Sequence, residues 1–163
     1  MDKAEREALI EKYRTAFDEF VVALNKIPKE AWLFMPAPNE WSVHQVIVHL
    51  ADSETNSYLR ARRLVAEPGQ PLMGYNQDVW ADQLDYHKTS FEDALETTRL
   101  VRKLTYDLLK RLPDDVWGNT AVHPEYSAPY TFEKWLRIYA DHPREHARQI
   151  TENYRLWKEQ KVK

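Results

Sequence analysis

The sequence predicts an all-α fold, a four-helix bundle, and three observations predict it. Four long segments carry apolar residues at three- and four-residue spacing, prolines stand at the ends of those segments, and the 163 residues include only three glycines. The length fits a single domain over residues 1–163. With 43% hydrophobic and 30% charged residues the chain has the balance of a folded globular protein rather than a disordered one. Its net charge of -3 arises from 23 basic and 26 acidic residues spread along the whole length, which leaves no basic stripe for nucleic acid. There is no cysteine, so disulfides, thiolate ligands and a protein-borne thiol nucleophile are excluded. No apolar run approaches the ~20 residues of a membrane span and the first residues are mostly charged, so a cytoplasmic protein is expected.

The first helix is expected from Ala4 to Ile27, with Leu9, Tyr13, Phe17, Phe20, Leu24 and Ile27 on one face and Pro28 ending it. The second begins after Trp41, with Ser42 as N-cap and Gln45 completing a capping box, and runs to about Ala66. Glu67 to Pro71 then breaks the chain. The aromatic stretch Gly74 to Tyr86 is expected to hold a short helix crossing one end of the bundle, within a long connection of the kind that often serves function. A third helix is expected from near Thr89, with Glu92 as capping partner. Its face carries Phe91, Leu95, Thr98, Val101, Leu104, Leu108 and Leu112, and Pro113 ends it. The fourth starts at Thr131, with Phe132, Trp135, Leu136, Tyr139, Ile150, Tyr154 and Trp157 on its apolar stripe.

The two halves share a pattern. Ala23 to Trp32 and Leu108 to Trp117 each run from a helix end through proline to tryptophan, and each leads to an aromatic, a capping hydroxyl and another helix. His49-Leu-Ala-Asp52 then lines up with Ile138-Tyr-Ala-Asp141, which implies two similar helical hairpins about a pseudo-twofold axis.

Three histidines fall where such packing would gather them. His142 and His146, four residues apart, project from one face of the fourth helix along its apolar stripe, the arrangement in which two imidazoles grip one metal ion. His49 lies at the margin of the second helix's apolar face, on the element expected beside the fourth. Three imidazoles without cysteine suit zinc, nickel or another borderline divalent ion, and a three-ligand site leaves coordination positions open. Histidines on a helix face are also common as hydrogen-bonded core residues, so the spacing alone does not decide. His44, His87 and His123 read as exposed.

His142-Pro-Arg-Glu-His146 also fits the H-x-x-E-H pattern of some zinc peptidases, with Glu145 as general base. Such enzymes need a further downstream glutamate ligand, and Glu152 and Glu159 sit on the same helix, so Glu145 is expected to support a ligand or to be exposed. Glu54 either contacts substrate or pairs with an arginine, the second being the commoner role. Pro143 removes the hydrogen bond to the Tyr139 carbonyl and is expected to kink the helix, whether to aim His142 or for packing alone.

Glu40-Trp-Ser-Val-His-Gln-Val-Ile-Val-His-Leu-Ala-Asp-Ser-Glu54 and Tyr139-Ala-Asp-His-Pro-Arg-Glu-His-Ala-Arg-Gln-Ile150 resemble the two signatures of the DinB superfamily, and of its YfiT-like branch in particular. The resemblance extends through Tyr75 to Trp80 and the His123-Pro-Glu125 loop. It implies an up-down-down-up bundle, often a homodimer, with a divalent metal held by the positions that match His49, His142 and His146. It also implies a small-molecule substrate and, for some members, transfer of a low-molecular-weight thiol such as bacillithiol or mycothiol. A thiol held on the metal would be deprotonated and able to attack an electrophile. Tyr75, Asp78 and Trp80 would then wall the pocket or contact substrate, ordinary packing being the alternative. Hydrolysis by activated water, assisted by Glu145 or Asp52, and a non-catalytic metal-binding bundle remain open beside it.

Overall fold

The computed structural model describes residues 1–161. Four long helices form the bundle: α1 (Lys3–Leu24), α2 (Val43–Ala66), α4 (Phe91–Leu109) and α5 (Phe132–Lys161), with the short α3 (Gln77–Gln83) in the crossover. Each starts at a side chain that satisfies the free amides of a first turn. Asp2 caps α1, Ser42 and Gln45 form the complete capping box of α2, Asn76 caps α3, and Thr131 Oγ1 accepts from Lys134 N at 3.0 Å ahead of α5. The cap of α4 is Ser90 rather than Thr89, with Asp93 rather than Glu92 three residues on.

The first helix ends at Leu24, short of Ile27, which is nevertheless buried beyond the helix end. The all-α expectation misses one small piece, a two-residue antiparallel ladder between β1 (Thr120–Ala121) and β2 (Tyr130–Thr131). It closes the loop that carries His123. Gly74 lets the crossover meet that loop, since a Cβ there would lie 2.6 Å from Pro124 Cγ.

The main packing pairs are α1 with α5 and α2 with α4, followed by α2 with α5 and α1 with α4. Exchanging α1 with α4 and α2 with α5 leaves this set unchanged, as a pseudo-twofold relation between the halves requires. The two helices of each repeat therefore lie across the bundle from one another rather than packing as the expected hairpins, because each finds its main partner in the other repeat, and α2 and α5, the pair that bears the histidines, are neighbours.

The core follows the expected stripes on α1 and α5, with Tyr13, Phe20, Trp135 and Leu136 almost wholly buried, and Ile47 and Leu50 of α2 join it. On α4 the expected stripe is displaced. Ala94, Thr98, Arg102, Thr105 and Leu109 face inward, and Leu104 is 48% exposed. On this inward face the Arg102 guanidinium donates to the Glu54 carboxylate at 2.7 Å and to the Tyr13 carbonyl. No helix among the described residues is long and apolar enough to cross a membrane.

Candidate metal centre

Neighbouring α2 and α5 bring His49, His142 and His146 together. One nitrogen from each ring can be chosen so that all three lie within 4.8 Å of one another. Ring centroids are 4.6 Å apart for His142 and His146, 4.9 Å for His49 and His146, and 5.6 Å for His49 and His142. Trp41, at the entry to α2, packs its ring 4.6 Å from that of His49 and helps to fix it.

Two of the rings are oriented from behind. His142 Nδ1 lies 3.2 Å from Glu54 Oε1, and His146 Nδ1 lies 2.8 Å from Gln149 Oε1. Both partners are oxygen acceptors, so each Nδ1 carries the proton, and in a neutral ring the Nε2 is then left with a bare lone pair. Those two Nε2 atoms face one another at 3.1 Å. Opposed lone pairs at that distance repel unless a cation stands between them. The His49 Nδ1 is buried and has no hydrogen-bond partner among the described residues. Three convergent imidazoles, two of them presenting lone pairs to one point, fit a borderline divalent ion.

The electrostatics keep His49 and His146 in the neutral form that a metal would need. Burial, with His146 and His142 close by, pulls the His49 pKa down to about 2. Burial and His142 pull His146 down to about 4, so both are neutral at pH 7. Glu54 is wholly buried. Burial by itself would raise its carboxyl, but the Arg102 guanidinium and His142 outweigh that and hold it below the usual carboxylate value.

Two crevices meet the histidines. One, of about 520 Å³, reaches His142 and is lined by Ser53, Arg60, Tyr75, Tyr130 and Tyr139 among others. The other, of about 480 Å³, reaches His146 between Trp41, Asp78, Gln149 and Glu152. Gln77, at the start of α3, lines both, so the crossover forms the partition. Tyr75 thus stands in the first crevice, its ring 4.5 Å from Trp80 and its phenol pushed up to about 12 by burial, while Asp78 is exposed in the second.

Other residues fall elsewhere. Glu145 is exposed and lines neither crevice. Asp52 accepts from the Tyr86 hydroxyl at 2.5 Å. The expectation that His44 and His123 are exposed is corrected. His44 is 9% exposed, with Nε2 2.9 Å from the Thr89 carbonyl oxygen, and His123 is 3% exposed, packed edge-on against Tyr126 and tilted against Tyr130. The crossover covers the first and the β1–β2 loop folds the second inward. His87 is exposed, as expected, and contacts Ser42 Oγ at 2.9 Å. Gln149 was missed, although its spacing three residues after His146 on one helix face could have marked it.

Fold and site together define a histidine-bearing four-helix bundle with a candidate divalent-metal centre. The chain belongs to the DinB superfamily, which it matches over residues 12–150. It is 34% identical over 111 residues to the Oceanobacillus iheyensis protein OB0782, covering 68% of this chain and 63% of that one. It is 30% identical over 112 residues to Bacillus subtilis YfiT, covering 69% and 63%. Both relatives are provisionally named metal-dependent hydrolases, and the aligned stretch spans less than two thirds of their length. The solved structure of YfiT from Bacillus subtilis, described as an unusual four-helix bundle, superposes with a TM-score of 0.87 at 24% identity, covering 95% of this chain and 89% of that one.

Proposed function

We propose that this protein is a metal-dependent enzyme that transfers a low-molecular-weight thiol to a small electrophile at a centre held by His49, His142 and His146. The observation that carries it is the opposition of the His142 and His146 Nε2 atoms at 3.1 Å, with both Nδ1 atoms turned to oxygen acceptors. His49, His142 and His146 would hold a divalent ion such as zinc or nickel, which when bound would supply Lewis acidity and lower the pKa of a thiol or water beside it.

The disposition of the carboxylates favours a thiol. Glu54 is committed to Arg102 and His142, and Asp52 to Tyr86. The carboxylates that line the crevices, Glu125 on one side and Glu40, Asp78 and Glu152 on the other, are all exposed. Among the described residues no carboxylate lining either crevice is buried, and Glu54, whose Oε2 has no partner, lines neither of them. A thiol, far more acidic than water, loses its proton without such a base. A homodimer working in a reducing cytoplasm, where such thiols are abundant, completes the proposal.

A second reading is hydrolysis, and the name that the relatives carry favours it. The two separate on zinc-reconstituted protein given 1-chloro-2,4-dinitrobenzene with and without cysteine or bacillithiol, and 4-nitrophenyl acetate without thiol. A His142→Ala, His146→Ala variant sets the background. Thiol-dependent loss of the chloroarene above that background is expected. Ester cleavage alone would select hydrolysis, and neither reaction from a metal-replete protein would retire both.

A further inference from the structure

We infer that the cavity beside His142 is an anion pocket, in which Arg60 and Tyr139 receive the carboxylate of a small cosubstrate. Arg60, on α2, is only 9% exposed. Its Nη1 donates to the Tyr139 hydroxyl oxygen at 3.0 Å and its Nη2 to the Met73 carbonyl at 2.8 Å. Both acceptors are neutral. No carboxylate oxygen lies within 4.0 Å of Arg60 among the described residues, and its buried Nε has no partner. The other deeply buried arginine, Arg102, differs on this point, because Glu54 neutralises it at 2.7 Å. A guanidinium sunk to this depth without a counter-ion is costly, and an anion arriving from the cavity it lines removes that cost.

The second donor is Tyr139. Its oxygen already accepts from Arg60, and the Ser53 hydroxyl is its other polar neighbour in the cavity, so its proton can turn from Ser53 to an entering acceptor; its ring centroid lies 5.6 Å from that of His142. One guanidinium beside one phenol matches the two oxygens and single charge of a carboxylate. Glu125 at the exposed rim adds negative charge, which disfavours a dianion. The volume of about 520 Å³ suits a small molecule, and the Tyr126, Tyr130 and His123 rings on the walls suit a planar one. The crevice on the His146 side is lined by Glu40, Asp78 and Glu152 and by no arginine or lysine, so an anion is directed to the Arg60 side.

The inference rests on the proposed function only in calling the ligand a cosubstrate, and its test reads binding rather than turnover. Isothermal titration calorimetry compares 4-nitrobenzoate with its uncharged isostere 4-nitrobenzamide on zinc-loaded and EDTA-dialysed protein, and on Arg60→Met and Tyr139→Phe variants. The benzoate is expected to bind roughly tenfold or more tightly than the benzamide in both metal states. That preference should vanish in Arg60→Met and fall several-fold in Tyr139→Phe, which keeps the ring. Equal binding of the two probes, or a preference that survives Arg60→Met, overturns the inference. So does a preference lost with zinc while circular dichroism is unchanged, because the carboxylate would then be a metal ligand. If Arg60→Met fails to fold, zinc-loaded Tyr139→Phe decides, and undiminished benzoate affinity there overturns the inference. A retained preference without thiol transfer would sink the proposed function alone.

Discussion

Arg102 donates to the Tyr139 carbonyl at 3.2 Å, and that carbonyl is the one that Pro143, four residues later, leaves without its helical amide donor. A side chain from α4 thus completes a hydrogen bond that the sequence of α5 cannot make for itself. The same guanidinium neutralises Glu54, reaches the Tyr13 carbonyl and lies 3.8 Å over the Tyr13 ring. It joins three of the four long helices to the carboxylate that holds His142.

Replacing Arg102 should therefore be expensive. Arg102→Met leaves the buried Glu54 carboxylate with His142 alone, without its cation, and the Tyr139 carbonyl without a donor, and about 3–5 kcal/mol of stability should be lost. Adding Glu54→Gln should recover part of that loss by removing the stranded charge. Urea unfolding of the metal-free proteins completes the cycle, and a loss under about 1 kcal/mol in the single variant would show that the network carries little weight.

Glu54 orients His142 from behind, so Glu54→Gln should weaken zinc binding by roughly ten- to a hundredfold while the three ligands remain. Competition against a chromogenic chelator reads the change. Unaltered affinity would mean that His142 is held by packing alone.

Much of this was legible in the sequence because it is local. The Ser42–Gln45 box and the spacing of His142 and His146 on one helix are properties of a few adjacent residues, and each is found where it is expected. What escaped depends on contacts distant in sequence. The α4 face turned away from Leu104 because a charged residue, Arg102, is the one that Glu54, Tyr13 and Tyr139 need, and no apolar count on α4 contains that information. From sequence alone His44 and His123 look exposed, because the segments that cover them, at Thr89 and at the β1–β2 ladder, lie outside any window around them.

Ser42 serves two contacts, capping α2 through Gln45 N at 3.2 Å and meeting His87 Nε2 at 2.9 Å across the crossover. Ser42→Ala should cost about 1–2 kcal/mol, the upper part of the range for a lost cap, since the site is fully buried. Thermal unfolding beside a Ser90→Ala variant, which loses only the cap of the more exposed α4, provides the comparison. Equal losses from the two would mean that the His87 contact adds nothing.

Acid should destabilise the metal-free protein before its carboxylates titrate. The unfolded chain has histidines near 6.5, whereas in the fold His49 is drawn down to about 2 and His146 to about 4. Between those values the unfolded state binds protons that the folded state refuses, so stability present above pH 6.5 is lost as pH falls. His87 and His123, also lowered by burial, act in the same direction. Each of the two deeply shifted histidines should remove roughly 1 kcal/mol per pH unit below 6.5. Urea denaturation in EDTA at half-unit steps from pH 7 to 5 measures the slope. Repeating it with His146→Gln should make the slope shallower by about one proton, because the variant has no imidazole to protonate on unfolding. A flat profile from pH 7 to 5 in the unsubstituted protein would show that the buried imidazoles accept protons without strain, and the electrostatic account of the centre would then be wrong.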